Sequence, residues 1–292
     1  MFRKAYQLAS SFTRPVIIST RLFDGTVKCA CAAFVILNEK GWILSAAHIM
    51  ESFLTFQKDS REVDEYNKEV ARLQGDEELT PKQRTKKLAR LRGNPGWITN
   101  HSFWWGCDGV SITEVRFNRE VDLFVGRLEP YDPSTVSFYP TFKDPASNLC
   151  PGTSLCRLGF PFHNIQASFD PDKGFLLAPG SIPVPRFPIE GIYTRNVSAG
   201  RTSDGIYEIK FLETSSPGLM GQSGGPIFDT DGTVWAIQSR TTHLPLGFSP
   251  TVERAGRRFE EHQFLNVGWG VHPEVIVAFL RDNSVEFRLS EN

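Results

Sequence analysis

The sequence predicts an all-β protein in two halves, interrupted by a helical hairpin and ended by one helix, and three observations carry that prediction. Short apolar runs recur along most of the chain with Gly, Asp, Asn or Pro between them, the pattern of strands joined by turns. A helical hydrophobic period replaces this pattern only from about residue 52 to 94 and again near 273–281. Between Glu129 and Pro151, Pro130, Pro133, Pro140 and Pro145 mark a connection over the surface that separates halves of similar size. Many short strands spaced in this way argue for barrels or a sandwich, not for a parallel sheet with helices.

The first half opens with strands over 16–20, 27–37 and 42–45, with Asp24-Gly25 and Asn38-Glu39-Lys40-Gly41 as turns. This meander runs into Ser45-Ala46-Ala47-His48-Ile49-Met50, which sets a histidine just past a buried strand. Phe56, Val63, Tyr66, Val70 and Leu73 then form a helical stripe that Gly75 ends. Thr80-Pro81 reads as an N-cap with proline at the first helical position, and Leu88 and Leu91 mark a second helix that Gly93-Asn94-Pro95-Gly96 stops. The second helix is basic through Lys82, Arg84, Lys86, Lys87, Arg90 and Arg92, so the hairpin reads as a solvated insertion, as a surface on which a regulatory protein docks over residues 55–94 or, last, as a local grip on nucleic acid. Strands resume over 102–105, 109–117 and 121–128. In the last of these Asp122 interrupts apolar residues, and a carboxylate so close to a buried strand requires a specific partner.

The second half has strands over 154–161, 192–197 and 207–212, then the turn Gly221-Gln222-Ser223-Gly224-Gly225-Pro226. Ile227-Phe228, Asp229-Thr230-Asp231-Gly232 and Thr233-Val234-Trp235-Ala236-Ile237 follow as strand, turn and strand. A polar loop from His243 to His262 leads back to a strand over 264–270, and a helix near 273–281 closes the chain. The predicted division is thus residues 1–140, carrying the histidine and the acid with the insertion at about 52–94, and residues 141–292, carrying the serine.

Composition excludes several function classes. With 32 basic and 33 acidic residues and a net charge of −1, the chain as a whole has no attraction for nucleic acid or for an anionic membrane. No run approaches the roughly 20 apolar residues of a membrane span, and Arg14-Pro15 interrupts residues 1–20 before any secretory pattern develops. The five cysteines form no C-x-x-C pair, which argues against metal binding and for a reducing compartment, with the cytoplasm as the expectation. No cofactor is expected.

Gly221-Gln222-Ser223-Gly224-Gly225-Pro226 is the stretch that carries chemistry. Glycines around one serine allow backbone conformations closed to other residues, so the turn can lift a hydroxyl into the open and aim neighbouring N–H groups at one point. Acyl transfer needs that pairing of a nucleophile with donors for the oxyanion. A glycine-rich turn can also be only a turn. The letters satisfy G-x-S-x-G, but a strand and not a helix follows the serine, which excludes the nucleophile elbow of an α/β hydrolase. A base and an orienting acid must then come from the first half.

His48 after Ser-Ala-Ala, Asp122 before Leu-Phe-Val and Ser223 within Gly-Gln-Ser-Gly-Gly-Pro resemble, in motif and chain order, the trypsin-like serine proteases of chymotrypsin fold. The resemblance covers most of residues 16–282 outside the helical hairpin. It implies two six-stranded antiparallel β-barrels with the active site between them, and a serine endopeptidase in which Ser223 attacks, His48 is the base and Asp122 orients it. It further implies an oxyanion hole from the N–H groups of Gly221 and Ser223, and Ser239 supporting the buried aspartate on a strand whose Arg240 and Thr241 meet the substrate, with His243 at the pocket rim. Gln222 stands where the animal digestive enzymes carry the aspartate that pairs with a newly cut N-terminus, so that activation is not expected here. The closing segment is similar to bacterial and organellar trypsin-like peptidases. Pro217 and Gly218 occupy the approach where trypsin has its pocket aspartate, so a preference for Lys or Arg is not expected. The alternative function is a catalytically silent, protease-like protein that binds peptides in the same groove.

Overall fold

The computed structural model of the chain describes residues 1–291. A short helix, α1 (Arg3–Phe12), buries Ala5, Ala9 and Phe12 and leads without a break into the first sheet. That sheet comprises β1 (Thr13–Leu22), β2 (Val27–Ile36), β3 (Trp42–Ser45), β4 (Ile98–Trp104), β5 (Ser111–Asn118) and β6 (Leu123–Glu129) in the order β4-β1-β2-β3-β6-β5. All its pairings are antiparallel. It curls without closing, because β4 and β5 are not paired with each other among the described residues. The implied first barrel is therefore an open, six-stranded half-barrel. Its interior is filled with aromatic side chains: Trp105 packs on Phe34 at 5.6 Å and stacks on Phe124 at 6.0 Å between ring centres.

The insertion lies beside the open edge as α2 (Glu51–Gly75) and α3 (Pro81–Leu88). Thr80 and Gln83 form a reciprocal capping box at the start of α3, the local reason that this helix begins where the sequence places it. The helix stops at Leu88, short of the predicted Leu91; Ala89 and Arg90 form a turn, and Leu91 follows it. α2 is less solvated than its charge suggests. Asp59, buried on its inner face, accepts from the Ile98 N–H at 2.7 Å, and Glu62 accepts from Trp97 Nε1 at 2.6 Å, so the helix is pinned to the start of β4. No residue of α3 is buried.

The proline-rich connection contributes β7 (Thr141–Phe142), and the second sheet follows with β8 (Ser154–Gly159). A small hairpin, β9 (Ala167–Asp170) with β10 (Gly174–Leu177), stands apart before β11 (Phe187–Arg201), β12 (Glu208–Thr214), β13 (Pro226–Phe228) and β14 (Val234–Pro245). The predicted polar loop from 243 to 262 is instead the projecting end of β14 plus a hairpin of β15 (Thr251–Arg254) and β16 (Arg257–Glu260), and β17 (Phe264–Val271) returns along β14. The order is β13-β8-β11-β12-β17-β14-β7-β18, where β18 (Arg288–Leu289) is the last strand, and a further β13–β14 pairing closes the first six strands into a barrel. α4 (Pro273–Asp282) buries Val275, Ile276, Phe279 and Leu280. Two curled sheets, the second closed through six antiparallel strands with β7 and β18 added in parallel, with few helices constitute a chymotrypsin-like fold. One apolar core runs through both, from Phe34 and Val35 of the first sheet to Phe211, Phe228 and Ile237 of the second.

Candidate active site

His48 is the second residue of a short 3-10 turn (Ala47–Met50) that follows β3, and α2 begins directly after that turn. Its Nδ1 is 3.0 Å from Asp122 Oδ2, and its backbone N–H donates to Asp122 Oδ1 at 2.9 Å. About 40% of the imidazole is exposed to solvent, facing the groove between the sheets. Asp122 stands immediately before β6 with a left-handed backbone, φ 57°, a conformation that acidic residues tolerate better than most. That twist turns the carboxylate inward, where it is 3% exposed and also accepts from Ser239 Oγ at 2.5 Å. Burial pushes the pKa of Asp122 up, but the hydrogen bonds and charge of His48 and the Ser239 hydroxyl outweigh it and hold the carboxyl below its ordinary range. For His48 burial favours the neutral ring, yet the bond to Asp122 and its charge, with a smaller contribution from Glu51, raise the imidazole above its ordinary value.

Ser223 approaches from the second sheet in the turn before β13. Gly221 and Gly224 have φ of 95° and 80°, so both use the freedom only glycine has without strain. The turn is bound on both sides. Gly224 N–H donates to Gln238 O and Gln238 N–H to Gly225 O, each at 2.8 Å, which ties the turn to β14; Ala33 N–H of β2 donates to Ser223 O at 2.8 Å, which docks it on the first sheet. A Cβ on Gly224 would collide with Ser45 Oγ and the Ala33 carbonyl, so the approach of the two sheets requires glycine there.

Within the turn the N–H groups of Gln222, Gly224 and Gly225 all have backbone acceptors, whereas those of Gly221 and Ser223 donate to no protein acceptor among the described residues. Ser223 Oγ is likewise unpaired among the described residues and half-buried. His48, Gly221 and Ser223 line one cleft of about 460 Å³, with Cys31, Ile49 and Met220 on its walls. Chemically this is a hydroxyl, an imidazole held by a carboxylate, and two free backbone donors on one surface.

Gln222 is fully buried. Its amide accepts from Leu219 N–H at 2.9 Å and donates to Phe187 O at 3.4 Å, so it braces the turn from beneath. Arg240 borders a second recess with His48, Glu51, Arg119, Asp122 and Ser239, and its guanidinium lies over the Phe211 ring at 5.0 Å. Thr241 Oγ1 donates to Gly218 O at 2.6 Å. His243 sits further out on β14, beside Asn266 on β17, and lines neither recess.

Two groups at the site escaped the sequence reading. Arg157 of β8 is 1% exposed and has no carboxylate partner among the described residues; it donates to Pro217 O at 2.7 Å and to Thr214 Oγ1. Burial lowers its basicity to about 10. Gln238 of β14 is 2% exposed. The signal for Arg157 was present: a charge within Leu155-Cys156-Arg157-Leu158, the same anomaly that marked Asp122.

No family model matches the chain, and no curated protein matches it. Solved structures do. Over 97% of its length the chain is similar to an HtrA-type protease AlgW with tripeptide, at 12% identity and a TM-score of 0.47, and it spans 63% of that protein's chain. Over 97% it is also similar to the Rv3671c protease from M. tuberculosis in its active form, at 11% identity and a TM-score of 0.48, spanning 86% of that chain. The likeness is one of fold.

Proposed function

We propose that the chain is a serine endopeptidase that hydrolyses peptide bonds in protein substrates through His48, Asp122 and Ser223. The observation that carries this reading is the coincidence, in one cleft, of an imidazole oriented by a buried carboxylate with a serine turn whose Gly221 and Ser223 N–H groups alone are unpaired among the described residues. Ser223 Oγ attacks the scissile carbonyl carbon while its proton passes to His48 Nε2. The carbonyl π pair moves to oxygen, where the two free N–H groups receive it. Collapse of the tetrahedral species breaks the C–N bond, and the leaving amine takes the proton from His48. Water then attacks the acyl-enzyme by the same path in reverse and releases Ser223. Asp122 keeps Nδ1 protonated, so that Nε2 is the accepting atom, and stabilises the imidazolium. The free Ser223 hydroxyl suits this scheme, since such contacts commonly tighten only when substrate enters.

The insertion supports a second part of the reading, control by a partner protein docked over residues 55–94. α2 follows the His48 turn directly, and α3 buries nothing, so a load on the hairpin acts on a segment continuous with the base.

The test is covalent labelling by a fluorophosphonate probe with Ser223→Ala as control, followed by mass-spectrometric detection of cleaved unfolded protein. Labelling that depends on Ser223 is expected. Its absence under all conditions, with tight peptide binding retained, would favour the silent peptide-binding alternative. The control reading fails if deletion of residues 55–94 leaves the rate unchanged and no partner alters it.

A further inference from the structure

Beside the Ser223 turn, three chain segments converge that would have to part for a substrate side chain to enter. They are the approach from Thr214 to Gly218, the edge of β14 at Thr241, and β17 at Gly268, which pairs with Thr241. Each glycine among them faces a filled space. A Cβ on Gly268 would run into Arg157 Nη2 and the Ser216 carbonyl, and one on Gly218 would run into the Gln238 side-chain amide. Above them, the 2.6 Å bond from Thr241 Oγ1 to Gly218 O joins two of the walls.

We infer that Arg157 and Gln238 plug the recess beside the nucleophile, so that the substrate residue whose carbonyl Ser223 attacks carries a small, uncharged side chain such as alanine or serine. The inference rests on the endopeptidase reading and extends it to substrate class. Two physical terms act in the same direction. Both side chains are almost fully buried and arise from strands of the closed barrel, and Arg157 cannot withdraw without giving up its bonds to Thr214 and Pro217. A buried guanidinium without a counter-charge among the described residues also repels a cationic side chain, which places lysine and arginine among the poorest substrates. Gln238 Oε1 is itself buried without a donor among the described residues, while its Nε2 donates to Arg240 O at 3.1 Å. The plug is thus held from one side only, and Gln238 is the part whose removal opens the recess at least cost.

The experiment compares rates of covalent capture of the full chain by peptidyl phosphonates that differ only in the side chain next to phosphorus: alanine, phenylalanine, lysine or glutamate. A plain fluorophosphonate, which has no such side chain, serves as reference. Alanine is expected to react about tenfold or more faster than phenylalanine and lysine, the scale on which a pocket discriminates by size. In Gln238→Ala the alanine-to-phenylalanine ratio should fall. Equal rates for phenylalanine or lysine and alanine in the unaltered protein overturn the inference, and no variant is needed to see this. Fastest capture of the glutamate probe also overturns it, because the guanidinium would then act as a counter-charge and not as a plug. If the plain reagent labels Ser223 and the ranking is flat, only the plug fails. If the plain reagent does not label Ser223, the endopeptidase reading fails and the plug with it.

Discussion

The two sheets solve the problem of their edges differently, and the difference divides the work at the site. The second closes through β13 and β14 into a barrel, so every strand near Ser223 has partners on both sides, and the serine turn is held by backbone bonds to β14 and β2. The first remains open between β4 and β5, and what it lacks in hydrogen bonds it replaces with stacked aromatic rings and a helix pinned along one edge. The closed sheet presents the Ser223 hydroxyl and, around it, backbone: a turn of glycines and two N–H groups free among the described residues. The open sheet presents side chains, His48 and Asp122, whose placement depends on packing behind them and on each other. A rigid barrel suits donors that must not move, while groups at the ends of strands in a less constrained sheet are aligned by mutual hydrogen bonds.

That contrast can be broken at several points, in decreasing order of effect. Asp122→Asn removes the charge that orients His48 while keeping the shape; kcat should fall about 10⁴-fold, or about 5.5 kcal/mol of barrier, with the fold intact by circular dichroism. Trp105→Ala hollows the aromatic interior of the open sheet and should cost about 3–5 kcal/mol in denaturant unfolding. Hydrogen exchange should show the loss concentrated in β2, β3 and β6, because the barrel is held by its own closure. Gly224→Ala attacks the junction instead. Its left-handed φ and the collision with Ser45 should cost about 2–4 kcal/mol together, and the turn should retreat from the first sheet, so that activity falls more than stability.

The smallest effect is on pH dependence. A protonated His48 cannot accept the serine proton, so activity must rise with pH as the ring loses its proton. Because Asp122 raises His48 above the ordinary imidazole value of 6.5, the ascending limb of kcat/KM should have its midpoint above that value, and in Asp122→Asn it should move down. A midpoint in the unaltered protein at or below 6.5 would mean that the pair does not interact in solution as it does here.

Much of this was legible in the residues. Strand periodicity, turn chemistry and the Thr80-Pro81 helix start are local signals, and they locate most elements because short-range sterics and capping decide them. His48, Asp122 and Ser223 stood out because each breaks its local pattern: a histidine past a buried strand, an acid at an apolar strand, a serine among glycines. Arg157 breaks its pattern in the same way, yet nothing local distinguishes a buried charge that serves a site from one that fills a recess. The projecting end of β14 and the β15–β16 hairpin carry no strand signal in the sequence because their polar residues face solvent on both sides, which removes the alternation that marks a strand.

The sequence by itself therefore determined which chemical groups exist and on which kind of element each sits, since those follow from neighbours a few residues away. Only the tertiary structure decided that the first sheet stays open, that Asp122 reaches His48 from 74 residues away and Ser239 from 117, and that Arg157 lies beneath Gly268. Those contacts join distant segments, and their energies come from burial and register across two sheets, which no local pattern encodes.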